Sequence, residues 1–156
     1  MWTVLHSLHF PPAGVSHETR PHRLLYWPER GELFPKKLRF VFRNFPLTQV
    51  HPYALVAAEA AEAAALQGKF WEMHDLLYEQ QASLEPDIIP AWAKKIGLNV
   101  ERLGNDIRGG GPEKRIREDR QSGIHSGVNG TPTFYINGTR YDGSPDYDSL
   151  LEALKA

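Results

Sequence analysis

Seven histidines, a pair of glutamates and a glycine-rich loop around one proline hold the chemistry open to this chain of 156 residues, which contains no cysteine. That absence excludes disulfides, thiolate nucleophiles and zinc-thiolate sites within it. His51 and His74 titrate near neutrality and suit acid–base work. His51 precedes Pro52 at a helix start, however, and His74 lies off the buried stripe of its helix, so both are expected at the surface or in caps. Glu59 and Glu62 share a helix face, as a paired-carboxylate site requires. With no histidine or third acid near them in sequence, a solvated face is the expectation. His6, His9, His17 and His22 suggest a metal cluster, but His6 and His9 are an odd number of positions apart and fall on opposite faces of a strand. No metal and no other cofactor is expected.

The stretch "GVNGTPTFYING", Gly127 to Gly138, sets a proline directly before a run that pairs readily in a sheet. Proline has no backbone donor and belongs at a strand's first residue or on an edge. Thr131 before it is held extended, and Gly127 and Gly130 let the loop turn sharply. Either Pro132 simply opens a strand, or the Thr131–Pro132 bond is cis and the loop is shaped for contact.

The elements that must position these residues follow from pattern. The length suits one domain with a core of its own, and 41% hydrophobic with 24% charged residues is ordinary for a globular chain. A net charge of −1 makes no case for nucleic acid or a membrane surface as partner. No apolar run approaches the roughly 20 residues that span a bilayer, and the first residues lack the parts of a secretory signal, which reads as cytoplasmic. Before residue 37 the chain is dense in proline and histidine, with one strand expected over 3–10. After it, 38–45 reads as a strand stopped by Pro46. Helices are expected from Pro52 to about Gly68, over 69–82, 87–96 and 100–108 with Asn99 as cap, and from Pro112 to about 124. A strand at 132–136 turns through Asn137-Gly138 into 139–141, and Ser144-Pro145 is expected to cap a last helix. The core is expected from Phe40, Phe42, Phe70, Met73, Leu77, Phe134, Ile136, Leu151 and Leu154, with Trp71 and Trp92 packing the helical part. This order is an α/β layer with a helical insertion over about 50–125.

From about 38 to 154 the chain resembles the DsbA-like branch of the thioredoxin fold, bacterial thiol–disulfide oxidoreductases with an inserted helical subdomain. The likeness rests on "LRFVFRNFPL", "HPYALVAAEAAEAA", "QGKFWEMHDLLYEQQ", "SGVNGTPTFYINGTRYDG" and "LLEALK" in that order. It implies a single thioredoxin-like domain over 1–156 with an atypical segment at 1–37. It also implies a cis-proline loop at Thr131-Pro132 that, with Gly130, receives a bound peptide. The family's dithiol motif opens the helix after the first strand, where the helix dipole favours a thiolate. Arg20-Pro21-His22-Arg23 resembles it in spacing, with arginine at both cysteine positions.

Guanidinium neither attacks nor leaves a disulfide. The resemblance therefore leaves a redox-inactive chain that binds a peptide, a protein or a small anion beside two arginines at a helix start. A second reading is a glutathione-dependent transferase or isomerase using Ser16 or Thr19. A third is a vestigial chain whose first 37 residues are degenerate or misread. If that segment leaves part of the sheet uncovered, a homodimer is expected.

Overall fold

The computed structural model describes residues 40–155 and, as strands, Val4–Leu8 (β1), Thr19–Arg20 (β2), Tyr26–Trp27 (β3) and Gly31–Glu32 (β4). The chain divides into two compact units, a helical one over Asn44–Asn129 and a sheet unit over Val4–Arg43 and Gly130–Ala156.

In the sheet unit, β5 (Phe40–Asn44), β6 (Thr133–Ile136) and β7 (Thr139–Tyr141) join β1 and β2 in the order β2-β5-β1-β6-β7. β1 and β6 run parallel with His6 opposite Phe134, while β2 is antiparallel to β5 with Arg20 opposite Phe40. β6 returns through Asn137 and Gly138, both at positive φ (51° and 84°), into antiparallel β7. That is the primed hairpin turn Asn-Gly favours. Val41 and Phe42, adjacent in β5, are both buried, so this inner strand is covered on both faces. β3 and β4 form a separate antiparallel pair. Arg20, expected at a helix start, lies in the strand β2 instead, and Pro21, His22 and Arg23 lie outside the described residues. Tyr26 and Trp27 are aromatic residues that favour the strand they form in β3.

α6 (Tyr147–Lys155) closes the sheet unit. Its cap is Asp146 rather than the expected Ser144. The Asp146 carboxylate accepts from the Ser149 amide at 2.9 Å and the Ser149 hydroxyl at 2.8 Å, and a carboxylate suits a helix start better than a hydroxyl does.

The helical unit is built round α1 (Ala54–Ala65), whose alanines give high helix propensity and a surface thin enough for close neighbours. It packs against α2 (Phe70–Glu79), α4 (Val100–Arg108) and α5 (Gly111–His125). α3 (Ile89–Lys95) packs against α2 and α4. Asn99 caps α4 as expected, accepting from the Arg102 amide at 2.9 Å. Residues 81–83 leave the expected second helix as a tighter turn. Phe70, Met73, Leu77, Trp71 and Trp92 are buried here, and Phe42, Phe134 and Leu151 are buried in the sheet unit. Ile136 and Leu154 are only half-buried, a correction that follows from their places near the ends of β6 and α6. The Phe40 side chain lies outside the described residues.

Candidate functional site

The loop before β6 is fixed at one end by the way α5 stops. Gly127 takes φ 84°, its amide donates to the Ile124 carbonyl at 3.0 Å, and the Val128 amide donates to the Gly123 carbonyl at 2.9 Å. This double return terminates the helix and buries Val128. Asn129 is exposed. At the other end, the Thr133 hydroxyl donates to the Gly130 carbonyl at 2.6 Å, and Thr133 and Phe134 are buried. Between these anchors Thr131 is half-buried, Pro132 is exposed, and the peptide bond joining them is cis. The loop therefore presents a rigid ring to solvent immediately ahead of two buried strand residues.

The backbone of Arg20 is placed at the edge of the sheet. It lies in β2, the edge strand, with β5 and β1 between it and β6. That is three strand spacings, about 14 Å at roughly 4.8 Å each. Thr19, one of the two residues weighed for a glutathione enzyme, pairs with Val41 in the same edge ladder. Pro21, His22, Arg23 and Ser16 lie outside the described residues, as do His9 and His17. His6 sits in β1. Among the described residues no group of histidines and acids could hold a metal ion.

The helical unit contains a polar cluster for which the sequence gives no periodic signal. Asn44, last in β5 and 5% exposed, donates its backbone amide to Asp119 Oδ2 at 3.1 Å and its side-chain amide to Glu62 Oε1 at 2.5 Å. Asp119, 1% exposed on α5, faces Arg115 across 3.4 Å. Phe45 follows under Gly123, and the Arg120 guanidinium lies 5.9 Å from its ring centroid. Glu62 is thus a half-buried acceptor and not part of a solvated face. Glu59 is half-buried as well, and burial, then the charge of Glu113, raises its carboxyl above the usual 4.5. A pair of residues 75 positions apart, such as Asn44 and Asp119, leaves no trace in local spacing.

His74 is also better buried than its position predicts. Its side chain is 17% exposed, its Nδ1 lies 3.1 Å from Asp75 Oδ1, and its ring sits 5.2 Å from Trp71 and 4.7 Å from Tyr78. Burial pushes the Tyr78 phenol above its ordinary value. These side chains fill the α2 surface with aromatic contacts, and His51 remains half-buried before α1.

A sheet with this loop and an all-helical unit between β5 and β6 is a thioredoxin-like α/β architecture. The family model of the DSBA-like thioredoxin domain matches residues 34–155, and the chain belongs to that family. It is 46% identical over 117 residues to the Na(+)/H(+) antiporter NhaA 1 of Salinispora arenicola, a match covering 75% of this chain and 18% of that protein. It is 47% identical over 120 residues to the Na(+)/H(+) antiporter NhaA 3 of Salinispora tropica, with the same coverage of each. A match to the Na(+)/H(+) antiporter NhaA of Herminiimonas arsenicoxydans is 34% identical over 154 residues, 99% of this chain and 24% of that protein. The chain thus spans about a fifth of the length of the curated relatives it matches. No solved structure matches it. Among the described residues no helix is long and apolar enough to cross a membrane.

Proposed function

We propose that this chain is a DsbA-like binding domain that works without thiol–disulfide exchange and holds an extended peptide segment at Gly130, Thr131 and Pro132. The observation that carries the reading is the pairing of an exposed Pro132 at the head of β6 with a chain free of cysteine. A ring exposed beside a strand start offers apolar contact to a chain running alongside it. With Arg20 on the far edge of the sheet, an extended peptide suits the loop better than a small anion does. Titration of the isotope-labelled chain with reduced, carboxymethylated α-lactalbumin tests this. The amides of Gly130, Thr131, Thr133 and Phe134 are expected to shift, with insulin reduction at buffer background. Shifts confined to other parts of the chain, or insulin reduction above background, would overturn the reading.

The names and lengths of the relatives favour a second statement about partners: the domain works alongside a membrane antiporter for Na+ and H+. In three relatives a stretch like this chain accounts for only 18 to 24% of the protein. Replacing that stretch in the Salinispora arenicola protein with this chain should preserve Na+-driven proton movement in everted vesicles, while deleting it should impair that movement. Equal transport with and without the stretch counts against the partnership.

A further inference from the structure

Two Asn-Gly pairs occur in the sequence, Asn129-Gly130 and Asn137-Gly138. In such a pair the glycine nitrogen, with no Cβ beside it, can attack the asparagine Cγ. The new N–C bond closes a cyclic succinimide, and the side-chain nitrogen leaves as ammonia. Water then opens either ring carbonyl to give aspartate or isoaspartate, and neither oxidant nor reductant is needed.

The fold treats the two pairs differently. Asn137 and Gly138 form the hairpin turn at φ 51° and 84°, with Ile136 and Thr139 paired immediately behind them. Swinging the Gly138 nitrogen towards the Asn137 side chain would mean leaving that turn and opening the ladder. Asn129 is exposed and lies in neither helix nor strand. Around Gly130 a Cβ would meet nothing within 4 Å, and its φ is not in the left-handed range. The chain also passes from the helical unit to the sheet unit between these two residues.

We propose that Asn129 is a self-modification site, which deamidates through a succinimide ahead of Asn137 and so places a carboxylate next to the Gly130–Pro132 loop. Isoaspartate would also lengthen the main chain by a methylene between the buried Val128 and Gly130, whose carbonyl holds the Thr133 hydroxyl. The inference stands whether or not the loop takes a peptide.

The purified full chain, aged at mildly alkaline pH and fragmented in a mass spectrometer, provides the test. In the folded chain the gain from replacing an amide by an acid is expected at position 129 while position 137 keeps its amide. In the urea-unfolded chain both positions should convert alike. Gly130→Ala, which the open space tolerates, should suppress conversion at 129 with the circular dichroism spectrum unchanged. Conversion at 137 keeping pace in the folded chain, no conversion at 129, or conversion at 129 indifferent to Gly130→Ala would each overturn the proposal.

Discussion

Gly123 has no room for a side chain. A Cβ there would lie 2.9 Å from the Phe45 ring and 3.6 Å from Val128, and all three residues are buried. Gly123→Ala should therefore destabilise the protein by about 1–3 kcal/mol through overpacking, seen as a lower urea midpoint with unchanged slope. Glu59 offers a test of charge. Its carboxyl is raised above 4.5 by burial and by Glu113, so the folded state holds its proton more tightly than the unfolded chain does. The resulting penalty is absent below the ordinary carboxylate range and appears as pH rises through the raised value. Glu59→Gln should accordingly raise stability at neutral pH, and the gain should vanish in acid. Denaturant titrations at the two pH values measure it, and an equal gain at both would remove charge as the cause.

At the scale of elements, strand β6 is held by β1 on one side and β7 on the other, and Phe134 is 8% exposed within it. Phe134→Ala should cost on the order of 3–5 kcal/mol. A denaturant titration showing less than about 1 kcal/mol would mean that the ring contributes little packing, well outside the range for a buried aromatic. α6 depends on its cap. The Ser144 hydroxyl, then the Ser149 amide and hydroxyl, lower Asp146 from 3.8 to about 2. Stability from this group is complete above 3.8 and is lost as pH falls towards 2. Asp146→Ala should speed hydrogen exchange in the first turn of α6 at neutral pH and change little in strong acid. Most of these elements were legible in sequence because their signals are local. Asn99 before Val100, Asn137-Gly138 and the apolar spacing of Phe70, Met73 and Leu77 each act within a few residues. The cap of α6 was misplaced because Ser144, Pro145 and Asp146 are all compatible with a helix start, and only hydrogen-bond geometry separates them. The burial of Glu62 and His74 was missed for a different reason. It comes from distant elements and aromatic neighbours, which spacing along one helix does not reveal.

At the scale of the whole molecule, the sequence likeness identified the DsbA-like fold because motifs spread from 38 to 154 kept their order. The candidate site was only half legible. The loop before β6 with its exposed Pro132 could be read from local residue types, whereas Arg20 pairs in an edge strand that four residues of motif spacing could not foresee. The helical unit has a further consequence. Among the described residues it is one unbroken stretch, Asn44 to Asn129, and both its ends are fastened to its own interior. The Asn44 amides are held by Asp119 and Glu62 where the stretch begins, and Val128 is held at the return of α5 where it ends. Phe45 and Val128 converge on Gly123, so the stretch begins and ends at nearly the same place. A piece with coincident ends can be spliced into a host loop at little cost in chain entropy. It is expected to behave as a transferable cassette. Residues 44–129 expressed alone should be helical by circular dichroism and melt in a single transition. A broad, featureless melt would show that the cassette needs its host to fold.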